Sequence, residues 1–116
     1  MTDYKQVLED LRQPVKDLRS HIPEIWSGFA ETHKHAMKDG EVSIKTKELI
    51  ALAIAVVKRC DGCIASHARG ALRAKATEQE VAEAIGVALM MDGATVTVYG
   101  PRAYEAFMQF KNAATE

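Results

Sequence analysis

The chain has 116 residues, with 15 Lys and Arg against 16 Asp and Glu, 47% hydrophobic and 27% charged residues, and only 3 Pro and 7 Gly. That length allows one domain with a core of its own, and the composition excludes a disordered chain, a collagen-like repeat and a disulfide-dense scaffold. A formal net charge of −1 gives no electrostatic footprint for nucleic acid or an anionic membrane, so neither is expected as a partner.

The punctuation divides the chain into helices. Thr2 is placed to cap a first helix over roughly 3–20, with Val7, Leu8, Leu11, Val15 and Leu18 at helical spacing and Pro14 as a break or kink. Pro23 suits the first turn of a second helix, roughly 23–38, with Ile25, Trp26, Phe29, Ala30 and Met37 inward and Asp39-Gly40 as its end. Ser43 caps a third, roughly 44–58, apolar on nearly every face and therefore expected at the centre. A fourth runs from near Cys60 to about Lys75. Thr77-x-x-Glu80 matches the capping box of a fifth, about 78–91, whose stripe is Val81, Ala84, Ile85, Ala88 and Leu89. The last segment, 95–112, is read as helical and broken at Gly100-Pro101, with Ala103, Phe107 and Phe110 inward; its Thr95-Val96-Thr97-Val98 cluster would be a strand without a partner. The fold class is all-α, with about six helices in a single domain over 1–116.

No run reaches the ~20 apolar residues of a membrane span, the most hydrophobic being Leu49 to Val57, and the charged start MTDYKQVLED has no apolar signal region. A cytoplasmic protein is expected. In a reducing compartment the two cysteines, Cys60 and Cys63 in a C-x-x-C spacing, point to redox chemistry or metal binding.

Chemistry concentrates between Glu48 and His67. On a helix, positions 60, 63 and 67 fall within about 60° of one another, so both thiols and the imidazole share a face. Residues three apart lie ~5 Å apart, within disulfide range. A helix N-terminus stabilises a thiolate, Lys58 and Arg59 act in the same direction, and Asp61 opposes them. Glu48 opens the apolar third helix, where an unpaired carboxylate is costly and a general base is well placed. If the fourth helix doubles back beside the third, the groups line up as Cys60, Cys63, His67, Glu48, the layout of a proton relay completed by water. The rival reading is a metal site, with the two cysteines and His67 as three ligands and His33 or His35 as the fourth. A c-type haem site would need His directly after the second cysteine, where Ile64 stands. No metal or other cofactor is therefore expected.

The pattern E-x11-C-x-x-C-x3-H, followed by R-G-A-L-R-A-K-A-T-E-Q-E-V-A-E-A-I, resembles the carboxymuconolactone decarboxylase family, and within it the AhpD-type alkylhydroperoxidase branch. The similarity covers roughly Ile22 to Phe110. The resemblance implies an all-helical fold assembled as a homo-oligomer, a hexamer before a trimer. It implies a peroxidase or disulfide oxidoreductase in which Cys60 and Cys63 are the dithiol, Glu48 and His67 the relay, and Cys63 the cysteine served by it. The implied partners are a hydroperoxide or disulfide substrate and a dithiol reductant. One position departs: a histidine before the second cysteine in peroxiredoxin-supporting members is Gly62 here. The alternatives are a non-catalytic oligomeric redox sensor or binding protein on the same scaffold, and a decarboxylase-type lyase, against which the cysteine pair argues. Apolar surface left over after folding is expected at subunit contacts, with Val96, Val98, Tyr99 and Phe107 as candidates.

Overall fold

The computed structural model of the protein describes residues 2–115. Its elements are α1 (Tyr4–His21), α2 (Pro23–Ala36), α3 (Ile44–Lys58), α4 (Asp61–Arg73), α5 (Glu78–Asp92), a 3-10 turn (Gly93–Thr95) and α6 (Val96–Ala114). Among the described residues there is no strand.

Local chemistry sets the boundaries, with some changes from the sequence reading. The cap of α1 is Asp3 rather than Thr2: its carboxylate accepts from the backbone N–H of Lys5 and Gln6. Pro14 sits inside α1 without ending it; Pro14 and Asp10 are both on the solvent side, where water can satisfy the carbonyl that proline leaves without a donor. Helix α2 starts at Pro23 and stops at Ala36, short of Asp39-Gly40. Asp39 serves α3 instead, accepting from the N–H of Ile44 at 2.8 Å while the Ser43 hydroxyl accepts from that of Thr46. The capping box of α5 is complete, with Thr77 and Glu80 each accepting from the other's backbone N–H.

Helix α6 is continuous through Gly100-Pro101, contrary to the expected break. Gly100 is buried where α5 meets α6, and a Cβ there would lie 2.9 Å from Ile85 Cγ2 and 3.1 Å from Val96 Cγ1. The glycine is thus a point of close helix approach, not a stop. Hydropathy also revises the membrane reading: Glu78–Ala114 contains a window with mean hydropathy 1.5, enough by length and composition for a span. The stretch turns at Gly93 (φ 81) into two helices that pack on each other.

The core is a small-residue interior with a few large anchors. Leu52 and Val56 of α3, Ile64 of α4, Val81 of α5, Phe107 of α6 and Tyr4 of α1 are fully buried. Ala65, Ala68 and Ala71 line the inner face of α4 and Ala103 and Ala106 that of α6, letting these axes approach closely. Helix α3 is central on one side only: Leu52, Ala55 and Val56 are buried, but Ile50 and Ile54 are about half exposed. Leu89 of the expected α5 stripe is exposed too, as are Leu11 and Leu18 of α1.

Two expectations about buried faces are corrected. Helix α2 buries none of its residues; Ile25 is 71% and Phe29 66% exposed, because α2 reaches away from the body and meets chiefly α1. Val96 and Phe107, proposed for a subunit contact, are in this chain's own core, while Val98 is exposed and Tyr99 half-buried.

Candidate functional site: a dithiol and a Glu–His pair on a helical hairpin

The site is built on the turn between α3 and α4. Arg59 caps α3 in the left-handed conformation (φ 55), and the chain reverses at Cys60, whose N–H donates to Ala55 O. Helix α4 then runs back along α3, which brings residues 67 and 70 beside residue 48. The antiparallel hairpin required by the sequence reading is therefore present.

Cys60 is the N-cap of α4 rather than its first helical residue. It lies across from Cys63 in a disulfide with Cα atoms 5.2 Å apart, and its Sγ accepts from the Cys63 N–H at 3.2 Å. Cys60 is half-buried and Cys63 exposed, so the second sulfur is the one open to a reactant. The α4 N-terminus places the positive end of a helix dipole at the sulfur pair.

Two residues of α1 shape this corner. Tyr4, fully buried, donates its hydroxyl to Asp61 Oδ1 at 3.2 Å, holding the one acidic residue between the cysteines. Burial, with Asp61 next in effect, pushes the Tyr4 phenol up to about 12. Leu11 Cδ1 lies 3.2 Å from where a Cβ at Gly62 would sit. Position 62 is thus partly covered by α1, and a side chain there would press on Leu11.

One turn further along α4, His67 Nδ1 and Glu48 Oε2 are 2.9 Å apart, with the two side chains 19% and 12% exposed. The contact is direct, with no bridging water required between them. The carboxylate lies over Gly70: a Cβ there would collide with it, meeting Oε1 at 2.7 Å and the other carboxyl atoms closer still. Glycine in a helix interior costs up to ~1 kcal/mol relative to alanine. Here it provides the space in which Glu48 reaches His67.

His33 of α2 faces His67, ring centroids 6.3 Å apart and planes 22° from parallel. His35 points elsewhere and pairs with Glu31 at 3.3 Å. Among the described residues no three His, Cys, Asp or Glu side chains converge as a metal-ligand group. A cleft of about 340 Å³ opens beside the Glu–His pair, lined by His33, His67, Glu48 and, from the far half of α4, Arg69 and Arg73. The sequence reading did not single out these arginines or Gly70. The available signal was the glycine itself, in the helix-breaking middle of an otherwise alanine-rich segment.

This is an all-helical protein with a disulfide-bonded cysteine pair at a helix start and a carboxylate–imidazole pair one turn further along that helix. The chain belongs to the carboxymuconolactone decarboxylase family, whose model matches residues 23–107. It is similar to a family member of Legionella pneumophila solved in its apo form, at 37% identity and TM-score 0.89 over 92% of this chain and 96% of that one. A family protein of Thermotoga maritima, whose suggested role is in the antioxidative response, is 25% identical with TM-score 0.82 over 93% and 92% of the two chains. An uncharacterised protein of Cupriavidus necator is 35% identical over 91% of this chain and 94% of its own.

Proposed function

We propose that the protein is a thiol-dependent antioxidant enzyme, a hydroperoxide reductase or disulfide oxidoreductase of the AhpD type. The observation that carries this reading is the Glu48–His67 hydrogen bond standing one helical turn from the Cys60–Cys63 disulfide. In the reduced enzyme, His67 takes the proton of the Cys63 thiol, with Glu48 orienting the imidazole and stabilising its charged form. The Cys63 thiolate attacks one oxygen of a hydroperoxide. The O–O bond breaks, the alkoxide leaves as the alcohol with the proton held on His67, and Cys63 becomes a sulfenic acid. The Cys60 thiol displaces hydroxide from that sulfur, giving the disulfide and water. A dithiol donor then reduces the disulfide by two exchange steps, is itself oxidised to a disulfide, and returns two protons and two electrons.

The exposed Ile25 and Phe29 of α2 and Ile50 and Ile54 of α3 support a homo-oligomeric working form, hexamer or trimer, since apolar faces of this extent fit an obligate interface. The test is consumption of tert-butyl hydroperoxide with dithiothreitol as donor, alongside thiol counting. Turnover with loss of two thiols per chain on oxidation supports the reading. Reversible oxidation without turnover of peroxide or of a disulfide substrate would leave a redox sensor instead.

A further inference from the structure

The far half of the cleft contains charge that the dithiol chemistry does not use. Arg69 and Arg73 are spaced i,i+4 on α4 and both line the cavity. Like charges at that spacing repel and destabilise a helix. Among the described residues neither guanidinium lies within ion-pair or hydrogen-bond distance of a carboxylate, whereas Arg12, Lys45 and Lys111 each pair with a glutamate. Arg69 is half-buried, and burial followed by the Arg73 charge lowers its affinity for a proton. The one carboxylate in the cleft, Glu48, is engaged by His67.

We propose that Arg69 and Arg73 form an anion subsite that holds the carboxylate of an aliphatic substrate whose reacting end lies toward His67 and the sulfur pair. Two planar guanidinium forks suit a carboxylate, each able to give two parallel N–H···O bonds. The planar, two-oxygen geometry of a carboxylate matches this pair of forks, and an uncharged amide offers no charge for them to neutralise. Along the helix, Arg69 and Arg73 lie roughly 9 and 15 Å beyond Cys63, at 1.5 Å per residue. A chain of about six carbons covers the nearer separation, at the ~1.3 Å advance per bond of an extended chain and with side-chain reach at both ends.

The proposal rests on the thiol-redox reading for what the ligand does and is tested apart from it. The oxidised, disulfide-bonded protein is titrated with hexanoate, with hexanamide and with inorganic phosphate by isothermal calorimetry. Saturable binding of hexanoate, one per chain, is expected, with hexanamide at least about tenfold weaker because it lacks the charge that strengthens such hydrogen bonds. Arg69→Gln and Arg73→Gln, singly and together, should each weaken hexanoate several-fold, while Arg69→Lys/Arg73→Lys retains part of the affinity. The Gln variants relieve the Arg–Arg repulsion, so thermal midpoints should not fall. If the double variant fails to fold, the single variants give the answer. Equal binding of hexanoate and hexanamide, tighter binding of phosphate, or affinity unchanged in the folded Gln variants would overturn the subsite. Turnover of tert-butyl hydroperoxide by the unsubstituted protein bears only on the redox reading: hexanoate binding without turnover sustains the subsite, and turnover without hexanoate binding removes it.

Discussion

The α3–α4 hairpin and α2 are neighbours in sequence and opposites in structure. The hairpin buries Leu52, Val56, Ile64 and a line of alanines, and carries both cysteines, Glu48 and His67. Helix α2 buries nothing, leaves Ile25 and Phe29 to solvent, and touches the site through the His33 ring. Both have apolar residues at helical spacing, so the difference does not come from amphipathicity. It comes from whether a partner surface exists within the chain. The hairpin is completed by α5 and α6, whereas the apolar face of α2 has no counterpart among the described residues.

The sharpest way to break this contrast is at the sulfur pair and its relay. Cys63→Ser should abolish turnover. His67→Ala and Glu48→Gln should each slow it by ~10²-fold or more and change the pH–rate profile, as for loss of a general base. On α2, His35→Ala should stay within about twofold, inside the ±0.5 kcal/mol usual for surface positions. An equal loss at His35, measured in the same peroxide assay, would put the working site across both regions.

Gly70→Ala separates packing from propensity. A methyl group at this position occupies the space of the Glu48 carboxylate, so turnover should fall toward that of Glu48→Gln. A surface glycine replaced in the same way would instead gain up to ~1 kcal/mol of helix stability. Full activity in Gly70→Ala would show that the Glu48–His67 contact is not needed. Stability gives the next comparison. In urea unfolding, Leu52→Ala in the hairpin should cost ~2–5 kcal/mol, the range for core truncations. Phe29→Ala, tested where the chain is monomeric, should cost under ~0.5 kcal/mol, and its effect should appear instead in light scattering, as a shift to smaller species.

The smallest expected effect lies at the α1 corner. The Tyr4 phenol is raised from 10.0 to about 12, so the folded form holds its proton more tightly than the unfolded chain does. The associated stability is complete below pH 10 and is lost as pH rises toward 12. Tyr4→Phe should remove that slope from the pH dependence of the unfolding midpoint, while lowering stability modestly at neutral pH through loss of the bond to Asp61. A slope that persists in Tyr4→Phe would assign it to other groups.

How much of this was legible in the sequence follows from the range of each signal. Pro23, Ser43 and Thr77-x-x-Glu80 act within one turn, and the starts of α2, α3 and α5 fall where they predict. The residues of the site are three to seven positions apart on α4, and only Glu48 needed a tertiary guess, which the reversal at Arg59 and Cys60 supplies. Gly100-Pro101 misled because its reason lies across the molecule, at Ile85. The inward face assigned to α2 failed because periodicity shows that a face is apolar, not what covers it. Leu11 over Gly62 is a product of α1 packing on α4, and the cleft at Arg69 and Arg73 is a product of α3 lying beside α4 with His33 at its edge; no local pattern encodes either.

The hydrogen bonds that seat α1 have a consequence for the order in which the fold closes. Tyr4 N donates to Gln109 Oε1 at 2.8 Å, and Gln109 Nε2 donates to Thr2 O at 2.8 Å, so the first turn is clasped to α6 across more than a hundred residues of chain. Such contacts carry the largest loop-closure entropy and reward folding only after the intervening helices are in place. Release of α1 would uncover the sulfur corner, since Tyr4 and Leu11 would leave Asp61 and Gly62 together. Amide exchange in α1 should outpace that in α3.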